Sequence, residues 1–484
     1  MKLALFLFHR DLRLFDNTSL NYAIKEGYII IPVFIFPPEQ IDPLKNKYFS
    51  HPAVQFMCES IEDLSNKLNK ISSELLLFKG DNIKILEEIY KSLKFEALFT
   101  NMDYSKYAYE RDSKIEKWCN NNSVNYKSYE DYGLFSLQEG LMNDVSPYLV
   151  LSAYYKKYLK ELNVRDVQKN VAISKNFYKG VINIKDQITL SNIKKIYNEN
   201  INIKEHGGRE NSLNIIKNVA TFKNYKHDRD YPAKDSTTHL SAHLKFGTIS
   251  IRELYWELNK EFGKDNPLIR ELVFRDFYMK IFALNPELQR GVALHSKLDE
   301  NIPWNSVKKN YKSGDIKTKK YWKAWISGNT GFPLVDAGMR QLMKENWVHN
   351  RIRMLVACVA TKYLLLDWRD CSQFYYKNLV DCDIFSNTAG WTWAASVGPD
   401  PLLYFRAPFN PYIQSKKFDI DAVYIKKFIP ELEGVDSNDI HKWGDEKIRN
   451  KYPNIKYPAP IVDQKEASQN SIKIWKHAYV KNNI

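Results

Sequence analysis

The chain lacks several things that would settle its class at once. It has five cysteines in 484 residues, an odd number, and none stands in a C-x-x-C pair. Cys58, Cys119, Cys358, Cys371 and Cys382 therefore give neither a disulfide framework nor a structural zinc site, and a reducing compartment, cytoplasm or nucleus, suits them. No G-x-G-x-x-G occurs, so the standard dinucleotide signature is missing, as are HExxH and the nucleophile elbow. Gly328-Asn329-Thr330-Gly331 lacks the Lys-Ser/Thr of a phosphate loop and reads as a turn between helices. No apolar run reaches the ~18 residues of a membrane helix. The opening Leu3–Phe8 run is too short for a signal peptide, and His9-Arg10-Asp11 follows it in place of a cleavage site. It reads as a buried first strand.

What the chain does have is positive charge. Lys plus Arg number 71 against 57 acids, a net +14, which suits a polyanion-binding surface. A solvated lysine-rich surface explains the same balance. The length allows two or three domains with sizeable cores.

Residues 1–130 alternate buried strand-like runs (Leu3–Phe8, Tyr28–Phe36, Leu75–Phe78, Ala97–Phe99) with amphipathic segments (Val54–Leu68, Ile83–Leu93), the pattern of a parallel α/β sheet. Residues 131–210 carry no strong period and read as a connector with short helices, ending near His206-Gly207-Gly208. From 211 to 484 the period is helical. Leu240, Leu244, Ile251, Leu254 and Leu258 recur at helical spacing, as do the apolar residues of 268–281 and 335–342. The expected architecture is an α/β N-terminal domain (Rossmann-like parallel sheet), a long connector, and an all-helical domain.

The most informative stretch is Asp381–Ser396, DCDIFSNTAGWTWAAS. Small residues beside Trp391 and Trp393 let a flat group approach the backbone, and Asp381, Asp383 and Asn387 offer donors and acceptors for its polar edge. A helix-packing corner with tryptophan filler would look similar. Around it stand Trp347–Met354, then Leu365-Leu366-Asp367-Trp368-Arg369, Tyr404-Phe405-Arg406, Phe409-Asn410-Pro411 and Lys417-Phe418-Asp419, with HRDLRLFDN at 9–17 and YPAPIVD at 457–463. This ordered set resembles the photolyase/cryptochrome family, most nearly its class I cyclobutane-dimer photolyases.

That resemblance implies FAD in the helical domain, UV-damaged DNA as substrate, a monomer, and no membrane. It implies that Tyr225, Thr237, Thr238, Leu240 and Ser241 grip the flavin, although hydroxyls before a helix are equally well explained as caps. Glu271 would face the lesion and Arg275 the flavin, where an i,i+4 ion pair is the plainer reading. Phe274 stands where most members have Trp, keeping a ring face but losing area and an N–H. Asn350 and Met354 would contact the dimer, whereas (6-4) photolyases have histidines at those positions. Arg353 would pair with Asp381, Asp383 would join the cofactor contacts, and Asn387 would lie opposite flavin N5, where plant cryptochromes carry Asp. Trp391, Trp368 and Trp304 would form an electron-transfer chain, with Tyr311 or Trp322 as substitutes for the third, beside an apparent insertion at 307–319. Trp393 would stack on the flipped dimer. In the resembling family the N-terminal domain can hold a second, light-harvesting chromophore, folate or deazaflavin. Folate-binding members carry Asn-Glu where this chain has Tyr109-Glu110. The alternatives are a signalling cryptochrome, a (6-4) photolyase, and more remotely a helical DNA-binding protein without flavin.

Overall fold

A computed structural model of the chain describes residues 2–168, 173–180, 184–310, 315–401 and 409–481. Tyr311 and Tyr404-Phe405-Arg406 lie outside them.

Six strands form one sheet: β1 (Leu3–Leu7), β2 (Ile29–Phe36), β3 (Leu76–Lys79), β4 (Ala97–Asn101), β5 (Asn125–Tyr129) and β6 (Gln187–Ile188). Their order is β5-β4-β1-β2-β3-β6, parallel except for β6, which runs antiparallel to β3. β1 and β2 read as unbroken apolar runs because both faces are covered, as a parallel sheet requires. Ala4 and Phe6 pack towards helix His51–Lys70, while Leu5 and Leu7 pack towards helices Asn82–Ser92 and Lys106–Asn121. The four expected strands are all present. β5 is missing from the sequence reading because it is polar and half-covered, NYKSY, at the sheet edge. β6 is contributed by residues read as connector.

The C-terminal half is helical, as expected. One period proves to be two elements: Ser241–Phe246 and Ile251–Phe262 are separate helices. Gly247 breaks them in the left-handed region at φ +64, where a Cβ would stand 2.3 Å from the Arg10 carbonyl. The chain turns there because the first loop of the α/β domain passes against it.

That contact belongs to a buried ionic junction. Arg252 donates to Asp16 (2.8 Å) and Asp131 (2.7 Å), and Arg13 donates to Asp131 (2.5 Å). Burial would raise the Asp131 carboxyl, but the two guanidiniums outweigh it and hold the group far below the ordinary carboxylate range. Removing one partner of such a set leaves a charge buried and unpaired. Arg252→Met should therefore lower unfolding stability by roughly 3–5 kcal/mol in urea titration. A loss below about 1 kcal/mol, the range of a surface pair, would contradict this account of the junction.

Candidate active site

The Ile384–Ala394 helix carries the stretch on which the sequence reading centred. Asp383 caps it, accepting from the Phe385 (3.1 Å) and Ser386 (3.3 Å) backbone N–H groups. Its other oxygen accepts from Tyr132 Oη at 2.7 Å and from Arg10. Burial opposes ionisation, yet Arg10 and Arg275 bring the Asp383 carboxyl down to about 2. Both oxygens are thus engaged in placing the helix and joining it to the α/β domain. Arg275 does not pair with Glu271: it donates to the Tyr132 carbonyl at 2.8 Å and lies 3.7 Å over the Tyr132 ring.

Asp381, two residues earlier, accepts from Arg353 Nη2 (2.8 Å) and from Ser241 Oγ (2.7 Å). Burial raises this carboxyl, but Arg353 and Ser241 leave it below its ordinary value. The Arg353–Asp381 pair read from sequence is present. Ser241 begins a helix of only six residues and its hydroxyl is turned to Asp381, not used as a cap. Leu240 is the buried residue at that helix's start and has no side-chain cap bond. Thr237 and Thr238 lie in the preceding loop, shaped by positive φ at Asp235 (48°) and His239 (55°). His239 is held there by Asp235 and Glu205, each 2.7 Å away. Burial lowers its pKa, but the two carboxylates more than reverse that and raise it to about 9.

Asn387 is half-buried. Its amide nitrogen donates to Ser372 Oγ (2.9 Å) and the Ser372 carbonyl (3.1 Å), which leaves the amide oxygen for a ligand edge. Glu271 accepts from Arg229 at 2.7 Å, and Arg229 reaches over the half-buried Tyr225 ring. Loss of solvent raises the Glu271 carboxyl, with Arg229 opposing. Arg229 was not read from sequence, because its partner lies 42 residues away.

Helix Asn350–Cys358 places Asn350 and Met354 one turn apart, Nδ2 to Sδ 3.9 Å. His349 caps this helix, accepting from Arg351 N–H at 3.2 Å, and burial brings its pKa down to about 4. Arg351 is tied to Asp230 at 2.7 Å. Phe274 and Trp393 are both half-buried; Phe274 stacks near Tyr278 and Trp393 meets Phe409.

Of the three indoles read as an electron path, Trp368 and Trp304 hydrogen-bond one carboxylate, Asp299. Trp391 touches Tyr375 and Trp325. Trp322 lies against Trp325 and Phe374.

A cavity of about 590 Å³ opens at the sheet's C-terminal end, lined by Ile35, Tyr48, Met57, Tyr107 and Glu110 and reaching Arg10 and Asp383 at the start of the Ile384–Ala394 helix. Among the described residues no group of three or more His, Cys, Asp or Glu could hold a metal, and no helix is long and apolar enough to cross a membrane.

The two halves of this arrangement match two family profiles: residues 4–172 match one described as DNA photolyase, and 268–477 one described as FAD binding domain of DNA photolyase. A deoxyribodipyrimidine photo-lyase of Alkalihalophilus pseudofirmus is 32% identical over 97% of each chain. An archaeal photolyase from Sulfolobus tokodaii, solved with two FAD molecules, is 33% identical with TM-score 0.84, covering 98% of this chain and 99% of its own. A bacterial class III photolyase from Agrobacterium tumefaciens is 26% identical with TM-score 0.85, covering 99% and 98%. A Synechocystis cryptochrome shares the fold at 23% identity and TM-score 0.84, covering 98% and 99%. The chain belongs to the DNA photolyase family, and its helical half is an FAD-binding domain.

The residues present fit FAD. Ser236 Oγ and His349 Nε2 are buried polar atoms without a partner among the described residues, and the Asn387 oxygen is open. Phosphate oxygens and a flavin ring edge are the complements such atoms require. While charged, His239 holds the 235–241 loop in shape through Asp235 and Glu205. Its folded pKa is raised, so this contribution is full below about 6.5 and lost as pH rises through about 9. Flavin release, followed by fluorescence, should accelerate above pH 9 in the native protein and lose that step in His239→Gln. An unchanged step in the variant would assign the pH dependence elsewhere.

Proposed function

We propose that the protein repairs DNA by splitting cyclobutane pyrimidine dimers under light, as a monomer acting on a dimer flipped out of the helix. The observation carrying the choice of lesion is the start of helix Asn350–Cys358. Its only histidine there, His349, is a buried cap with its pKa near 4, so it is uncharged at neutral pH and engaged with the backbone. Asn350 and Met354 take the positions at which (6-4) photolyases carry histidines. This face offers hydrogen bonds and a soft packing surface, with no proton relay. Cyclobutane splitting needs none.

Reduced FAD, when bound, supplies one electron to the dimer and takes it back after the ring opens. The chain's residues bind, orient and stabilise. Arg353 and Asp381 neutralise each other, so neither brings net charge to the ring, and Asn387 presents its oxygen from a fixed position. Thr237, Thr238, Leu240 and Ser241 line the approach for the phosphates, with Tyr225 beside them. Asp383 acts by placing the Ile384–Ala394 helix, and Arg275 by holding Tyr132 against it. Phe274, Met354 and Trp393 wall the lesion, and Glu271, fixed by Arg229, hydrogen-bonds its carbonyl/N–H edge where negative charge develops. Lysines and arginines around the mouth hold flanking phosphates.

The cavity at the sheet's end has the size for a flat second chromophore serving as antenna, folate or deazaflavin. The Sulfolobus tokodaii relative, with its two FAD molecules, adds a flavin to that choice.

With fully reduced enzyme, cyclobutane dimers should be split under blue light and (6-4) products left intact. Glu271→Ala should lower repair per absorbed photon by about tenfold, with a smaller change in DNA affinity, because its hydrogen bond strengthens only as charge develops. Repair of (6-4) products would overturn the choice of lesion. Repair of neither would move the protein to the cryptochromes.

A further inference from the structure

The indoles near the flavin side differ in what their N–H groups meet. Trp368 Nε1 and Trp304 Nε1 both donate to Asp299 Oδ1, each at 3.0 Å, and the Trp304 N–H is shared with the Asp299 backbone carbonyl at 3.2 Å. The two nitrogens therefore lie no more than about 6 Å apart, joined by one buried carboxylate oxygen. The other oxygen accepts from Arg369, whose guanidinium lies 4.6 Å over the Trp368 ring. Among the described residues no cation lies over Trp304, which is half-buried and reaches solvent. A competing route leaves Trp391 in another direction. Trp325 is 5.9 Å from Trp391 between ring centroids, and Trp322 is 5.4 Å from Trp325. Among the described residues no ring contact joins Trp391 to Trp368, so distance does not select the first route. Chemistry does: Trp325 is fully buried and its Nε1 finds no acceptor among the described residues.

Oxidising an indole makes its N–H strongly polar and puts a positive charge on the ring. A carboxylate on that N–H stabilises the charge, whereas a buried N–H without an acceptor leaves it unsolvated. We propose that Asp299 is the positioning residue that sends the positive charge from Trp391 to Trp368 and Trp304 and away from Trp325 and Trp322. This rests on the reading that Trp391 is the first donor. One electron leaves Trp391 for the photoexcited oxidised cofactor. Trp368, on a helix packed against that of Trp391, refills it, and Trp304 refills Trp368. Arg369 disfavours charge on Trp368, so the vacancy settles on Trp304. Its proton stays in the bond to Asp299 until solvent takes it at the open ring edge. An external thiol later returns the electron, and water the proton. The next ring, Trp475, is 5.7 Å from Trp304, but it is fully buried and its N–H is bonded to the neutral Ala395 carbonyl. The charge stops at Trp304.

The test is transient absorption of the tryptophan radical in FAD-loaded protein, paired with indole N–H resonances of the ¹⁵N-labelled holoprotein. In Asp299→Asn the yield of the long-lived radical should fall about tenfold, as expected for trading a charge-assisted hydrogen bond for a neutral one. The Trp304 and Trp368 resonances should shift together in that variant. Asp299→Glu should restore most of the yield, and adding Trp322→Phe to Asp299→Asn should remove what remains. A native radical yield in Asp299→Asn with both resonances shifted would overturn the role of Asp299 and leave the route standing. Unchanged photoreduction in Trp391→Phe would overturn the route itself, and this inference with it.

Discussion

Asp131 accepts from Arg13 and Arg252 at the point where the first loop, the end of the sheet domain and the helical half meet. Charges buried this deeply are tolerated only in fixed, complementary geometry. The set therefore allows little freedom to the loop that follows β1, and that loop carries Arg10. Arg10 and Tyr132 in turn hold Asp383, the cap of the Ile384–Ala394 helix. Asn387, Trp391 and Trp393 project from this one helix. Two sets of ion pairs, joined through the backbone of the loop after β1, thus connect the α/β core to the candidate active site. The HRD segment after β1 is part of the site's support although it lies far from it in sequence.

The separation of roles follows the same logic. Asp381 and Asp383 are two residues apart and looked equivalent as cofactor contacts. The structure gives Asp381 to Arg353 and Ser241, and gives Asp383 to the helix cap and the domain junction. A helix N-terminus turns neighbouring side chains to different partners, so spacing alone could not tell them apart.

The sheet was legible wherever strands were buried on both faces, because burial leaves a continuous apolar run. β5 and β6 were not, since edge strands need no such run. The helical half was legible by period, but its breaks were not: Gly247 is a break because Arg10 passes against it, a contact 237 residues away in sequence. The site's residue types were legible in the motifs around 347–354 and 381–396. Their partners were not. Arg229 for Glu271, Ser372 for Asn387, Tyr132 for Arg275 and Asp299 for Trp304 are each separated in sequence from the group they serve, Asp299 least of all. Trp304 is legible from its flanking residues, and Asp299, five positions before it, is the one partner close enough in sequence to be legible beside it.

The central claim is that the active-site helix is held by a charge from the other domain. It is tested most directly by the flavin dissociation rate of Arg10→Met, measured by fluorescence on folded protein with circular dichroism as the check on folding. Leaving buried Asp383 without its ion-pair partner, with only the more distant charge of Arg275 remaining, should loosen the helix cap and speed flavin loss by about tenfold or more. A native dissociation rate in a folded variant would contradict the account.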